Sequence, residues 1–219
     1  MTSNGINRPV TRNIKAAARR RFAAKYRPSS MGFSLLEVLI SIIILSFGLL
    51  GMVGLQAAAI QANRDARIQS AAVNLARELA EMMRGNKDIS LLTASNPYVG
   101  HFNTSPMAAA TPAYCLNVAI GTTPCANGTQ IANAQMTEWL TRVDAELPSP
   151  VVRVCIDSAP FDASGVARWA CDVSGAGATT VIKIGWTRSV TDKTQQGAAA
   201  LERATKPSIV FPVTPGNAI

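Results

Sequence analysis

From Phe33 to Asn63 the only charged side chain is Glu37, and Val38 to Leu55 is an almost unbroken apolar run. About 20 such residues cross a hydrocarbon core, so residues 38–57 read as a membrane helix. Beyond it the apolar positions become periodic. Ile68, Ala72, Leu75, Leu79 and Met82 recur at helical spacing and form one stripe, with Arg64, Asp65, Arg67, Arg77, Glu78 and Arg84 mostly off it. No proline interrupts the chain between Pro28 and Pro97. The pattern predicts one helix over 34 to about 84, with Gly85 as its C-terminal cap. Such a helix is roughly 75 Å long, and a bilayer core takes up only about 30 Å. Its outer half needs something to cover the stripe.

Residues 87 to about 127 hold Pro97, Pro106, Pro112 and Pro124 among many small polar residues, and read as loops. Residues 130–147 carry Ile131, Ala134, Met136, Leu140, Val143 and Leu147, which predict a second, shorter helix ended by Pro148. Four strands are expected after it, at 151–157, 167–173, 179–187 and 208–213. In the third, Val181, Lys183 and Gly185 share one face and Ile182, Ile184 and Trp186 the other. Pro212 marks the last as an edge strand. Residues 192–206, charged and rich in small side chains, read as a surface loop. Short connections favour antiparallel pairing. The predicted class is α+β: a long N-terminal helix packed on a small antiparallel sheet, its apolar stripe covering the sheet.

Charge changes the picture at the N-terminus. Residues 1–32 hold eight of the 21 basic residues and no Asp or Glu, leaving 13 basic against 13 acidic in the remainder. The net charge of +8 therefore lies wholly upstream of the apolar run. That removes the main support for nucleic-acid binding by a basic domain. A basic segment abutting an apolar one instead orients a membrane insertion, with the positive flank inside. No small-x-small cleavage site follows the apolar run, so the segment reads as a retained anchor.

Everything beyond the span then lies outside the cytoplasm, where cysteines oxidise. Cys115, Cys125, Cys155 and Cys171 allow three pairings. The local pairs, Cys115–Cys125 and Cys155–Cys171, are the expected ones, each adding about 3 kcal/mol in the chain-entropy model. No cysteine pair has zinc-ligand spacing, and His101 is remote from all four in sequence. No metal or other cofactor is expected. No nucleophile motif, phosphate loop or paired carboxylates point to an enzyme, so no catalytic residue is expected. His101 reads as a solvated loop residue, and Trp139, Trp169 and Trp186 as core residues.

The junction carries a resemblance. The basic leader, Gly32-Phe33, Glu37 at the fifth position beyond the glycine and the apolar helix together resemble the class III signal of type IV prepilins. The resemblance implies cleavage by a prepilin peptidase between Gly32 and Phe33, and N-methylation of Phe33. It also implies that Glu37 meets the new α-amine of a neighbouring subunit and sets the register of assembly. The bland reading is that Glu37 complements its own helix N-terminus, by about 0.3–1 kcal/mol. Gly48, Gly51 and Gly54, three residues apart, suit either close helix packing in the membrane or local unwinding on assembly.

Further along, "YCLNVAIGTTPC", "TEWLTRVDAELP", "VVRVCIDSAP", "WACDV" and "TVIKIGWT" resemble the heads of type IV pilus modification proteins, the PilV group of minor pilins. "LQAAAIQANRDA" and "LARELAEMMRGN" resemble the same group. Three segments are implied: a leader at 1–32, a helix at 33–86 and an extracytoplasmic head at 87–219. The chain would span the inner membrane once, with its head in the periplasm, and later join the pilus fibre at the cell surface. Its partners would be other minor pilins, the major pilin, the prepilin peptidase and the inner-membrane assembly platform. A minor pseudopilin of a type II secretion system uses the same signal and stem and is the alternative.

Overall fold

The computed structural model describes residues 32–116, 123–190 and 194–214. Of the basic leader expected at 1–32, residues 1–31 lie outside the described residues. The chain divides into two units, residues 1–52 and 53–219.

Helix α1 (Leu35–Gly85) begins in the first unit. Ser34 starts it. Its hydroxyl oxygen accepts from Leu36 N (3.3 Å), and its carbonyl accepts from Glu37 N (3.0 Å) and Val38 N (3.2 Å). The described residues of this unit are all exposed. It contains the apolar part of a helix long and apolar enough to cross a membrane, with a mean hydropathy of 2.6 over its best window.

In the second unit α1 continues to Gly85 and is followed by the single turn α2 (Lys87–Ser90). Strand β1 (Gly100–Phe102) precedes α3 (Gly128–Glu146). Then come β2 (Val151–Asp157), β3 (Thr179–Gly185), β4 (Arg188–Ser189), β5 (Leu201–Glu202) and β6 (Ile209–Val213). The main sheet is antiparallel throughout, in the order β1-β2-β3-β6. A second, two-stranded ribbon pairs β4 with β5.

Asn127 caps α3. Its side chain accepts from Gln130 N (3.0 Å), while the Gln130 side chain accepts from Ala126 N (2.8 Å). Pro148 ends the helix because it has no N–H to extend the ladder. The core lies between one face of the sheet and the two long helices. Ala72, Leu75, Ala76, Leu79, Ala80 and Met83 of α1 meet Met136, Trp139, Leu140 and Val143 of α3. Val152, Val154, Ile182 and Ile184 supply the sheet's side of it.

The structure differs from the pattern reading in particular places. The buried stripe of α1 runs through Ala76, Ala80 and Met83, whereas Ile68 and Met82 are only partly buried. Alanine carries little hydrophobic weight, so the periodicity leaned towards the larger side chains beside it. On α3, Trp139 and Ala132 are buried and Ile131 only half so. Residues 87–127 are not all loop: they contain α2 and β1, and β1 is an edge of the main sheet. His101 lies on that strand, exposed, opposite Arg153. Strand β3 stops at Gly185. The expected surface loop at 192–206 holds β5 and a 3₁₀ turn at Gly197–Ala200.

The largest correction concerns 167–173, which forms no strand. Apart from a single bridge between Phe161 and Ala167, residues 158–178 are a strap over the second face of the sheet. Trp169 lies against Gly185, where a Cβ would sit 2.9 Å from its ring, and its Nε1 donates to Ala204 O (3.1 Å). Only glycine leaves room for that approach. The strap turns at Gly165, whose φ of 76° suits glycine.

Candidate functional site

Two regions carry the residues singled out from the sequence. The first is the stem junction. Gly32 and Phe33 precede the first turn of α1, and Phe33 is 81% exposed. Glu37 lies in that first turn, exposed, and makes no ion pair among the described residues. Phe33, Glu37, Val38, Ser41, Ile42 and Leu45 line one shallow depression of about 380 Å³ on the helix. This face offers an aromatic ring and a carboxylate side by side and leaves both open.

The stem handles its hydroxyls internally. Ser41 Oγ donates to Glu37 O and Ser46 Oγ to Ile42 O, both at 2.7 Å. In hydrocarbon, a hydroxyl without a partner is costly, and bonding back one turn supplies the acceptor locally. These serines were not singled out from the sequence, although their position inside an apolar run was the available signal. Helix α1 is continuous through Gly48, Gly51 and Gly54, and the space beside each is open.

The second region is the head. Cys115 is bonded to Cys125, with Cα atoms 5.0 Å apart, and Cys155 to Cys171, with Cα atoms 6.4 Å apart. The second bond ties β2 to the strap. Beneath the strap lies a buried ion pair. Lys183 on β3, fully buried, donates to Asp157 Oδ2 (2.5 Å), Arg168 O (2.8 Å) and Ala170 O (2.7 Å). The three protons of the ammonium thus have three acceptors. Asp157 Oδ1 accepts from Ala159 N (2.9 Å) and Asp172 N (3.0 Å).

Burial alone would push the Asp157 carboxyl up and is the largest single influence on it. The hydrogen bonds from Lys183, Asp172 and Ala159, with the Lys183 charge, together outweigh it and hold the group below the usual carboxylate range. Hydrogen bonds from the Ser174 hydroxyl and N–H draw Asp172 down likewise.

Cys155, Asp157 and Cys171 offer atoms within 4.8 Å of one another. The sulfurs are bonded together and both carboxylate oxygens of Asp157 are engaged, so this cluster has no spare donor for a metal.

Trp139 fixes α3 to α1: its Nε1 donates to Leu75 O (2.9 Å) in the core. Arg142 and Glu78 form an ion pair between the same helices at the surface. Tyr98 donates to Gln135 Oε1 and accepts from Asn86 Nδ2 (3.2 Å), and burial raises its phenol. Asn86 Nδ2 also donates to Gly128 O (2.7 Å), joining the end of α1 to the start of α3.

This long helix with a small antiparallel sheet against its outer half meets the comparisons with known proteins at one point. The family model described as "Tt1218-like: Type IV pilin Tt1218" matches residues 54–139. The match supports a type IV pilin family. It covers less than half of the chain, from Gly54 on α1 through β1 and the Cys115–Cys125 loop to Trp139. The junction at Gly32–Glu37 and the strands β2, β3 and β6 lie outside it. No match to the chain was found among curated proteins or among solved structures. The matched family is one of structural proteins, and the apolar stem suits a membrane-anchored pilin. A pilin domain implies assembly with other pilins.

Proposed function

We propose that this chain is a minor type IV pilin of the PilV group. It waits in the inner membrane as a single-span prepilin, its leader inside and its head in the periplasm. A prepilin peptidase cuts between Gly32 and Phe33 and methylates the new N-terminus. The matured chain then joins other minor pilins to prime the pilus, or caps its tip next to the major pilin on the assembly platform. In this reading the segments are the leader at 1–32, the helix at 33–86 and the head at 87–219.

The observation that carries the reading is Glu37, a carboxylate in the first turn of an apolar stem with no ion-pair partner among the described residues. An ionised group near hydrocarbon costs up to about 3 kcal/mol on insertion scales at the centre of a span. Cleavage after Gly32 creates an α-amine at Phe33, and the amine of one subunit reaching the carboxylate of the next neutralises both. Pairing of this kind occurs at one axial offset, so it also sets register. Gly48, Gly51 and Gly54 give stems room to approach, or let the helix yield as they do.

A minor pseudopilin of a type II secretion system would use the same stem. The four cysteines, together with the Glu138-Trp139 and "VIKIGW" stretches, favour the pilus. Deleting the protein separates the two: the pilus reading expects fewer surface pili with secretion intact, and the reverse pattern would refute it.

A further inference from the structure

One wall of a groove of about 390 Å³ is the part of α1 from Ala57 to Ile68. The facing wall includes Pro148, Trp186, Arg188 and Leu201. Arg188 stacks on the Trp186 ring, its guanidinium carbon 4.8 Å from the ring centroid. That contact fixes the cation while its N–H groups stay available at the edge. Arg64 makes no ion pair among the described residues, and with Arg67, Ile60 and Asn63 it also lines an adjoining depression of about 300 Å³. Asp65 is the acidic residue in the groove's lining. Arg64, Arg67 and Arg188 against Asp65 and Glu202, the residue opposite Arg188 in the β4–β5 ribbon, leave one positive charge over. Beside it stand exposed apolar groups, Ile60 at 70% and Leu201 at 54%.

The position of this groove along the helix indicates what the charge meets. The apolar run ends near Ala57, and Arg64 lies about 10 Å further along α1. The headgroup layer extends about 5–8 Å beyond the hydrocarbon. An arginine side chain, with its apolar stem and charged end, covers the difference. A groove combining guanidiniums with no ion pair among the described residues, the edge of a largely buried tryptophan and exposed aliphatics at this depth matches a phospholipid headgroup with its first acyl carbons.

We propose that the groove binds the phosphate of an anionic phospholipid through Arg64 and Arg188, with Arg67 beside it, at the outer face of the membrane the stem crosses. The inference rests on reading the chain as a membrane-anchored pilin. Binding would hold the head against the membrane until assembly withdraws the stem.

The test is native mass spectrometry of the full chain in detergent with phosphatidylglycerol or phosphatidylcholine added, alongside flotation of the reconstituted chain with vesicles of each lipid. The expected result is preferential retention of one phosphatidylglycerol. That preference should fall roughly fivefold for each of Arg64→Gln and Arg188→Gln, and persist in Arg142→Gln. Equal retention of the two lipids, or an unchanged preference in the double variant, overturns the proposal. So does a double variant that keeps its lipid preference but loses crosslinks to another pilin, since the groove is then a protein interface. A chain that floats with neither vesicle would instead refute membrane anchoring itself, and the proposal with it.

Discussion

Glu37 and Lys183 are opposite cases of an ionised group in apolar surroundings. Glu37 is exposed and has no ion-pair partner among the described residues, whereas Lys183 is fully buried with three acceptors. For Glu37, replacement by alanine is predicted to leave membrane insertion unchanged and to abolish recovery of the protein in sheared pili. Wild-type recovery of Glu37→Ala in fibres would end the argument from register. For Lys183, removing one partner leaves a buried charge alone, so Lys183→Ala should cost about 3–5 kcal/mol in urea unfolding of the detergent-solubilised chain. A loss under 1 kcal/mol would mean that the strap holds without the pair. The pH dependence follows from Asp157. Its folded carboxyl titrates below the unfolded value of about 3.9. The stabilisation is therefore complete above that value and drains away as pH falls through the folded one. Asp157→Asn should flatten the fall in stability as pH drops below about 4, and an unchanged acid limb would contradict this. Glu37 was legible in the sequence because a carboxylate in an apolar run is out of place. The Lys183–Asp157 pair was not. Alternation placed Lys183 on one face of a strand, but nothing in the pattern showed that carbonyls of an irregular segment would cover that face.

At the level of elements, both long helices and three strands of the main sheet could be read from periodicity, because each buries a face at its own repeat. The other expected strand, at 167–173, does not form. "ARWACDV" has apolar and aromatic residues at strand-like spacing, but its carbonyls serve Lys183 and its cysteine serves β2. Local pattern cannot separate a segment that pairs with a sheet from one that lies across it. Strand β1 was missed for a related reason: three residues are too few to show alternation. The strap leads to a prediction of its own. Cys155→Ser with Cys171→Ser should lower stability by about 3 kcal/mol and open cleavage sites within 158–178 to protease, detectable by mass spectrometry of the fragments. Unchanged protease resistance would show that the ion pair and Trp169 suffice. Ala76 of α1 is fully buried in the core, so Ala76→Leu should overpack it at a cost of about 1–3 kcal/mol. Unfolding of the variant in detergent would measure this, and a stability equal to wild type would mean that the helices can part without loss.

For the molecule as a whole, two observations on different residues point the same way. The family match runs from 54 to 139 and stops short of the junction, while the prepilin-like signal at Gly32, Phe33 and Glu37 precedes it. The fold class was legible because a long apolar-then-amphipathic helix followed by short strands has few ways to bury both its stripe and a sheet. The partners were not, because a surface that meets other pilins shows only as open faces in a single chain. The proposed maturation at Gly32–Phe33 would tie the parts together, and the most direct measurement is N-terminal peptide mass spectrometry of the protein from native membranes. The expected mature chain starts at Phe33 and carries one methyl group on its amine. An N-terminus upstream of Gly32, with basic leader still attached, would contradict it and leave Glu37 as an unexplained charge on an ordinary anchor.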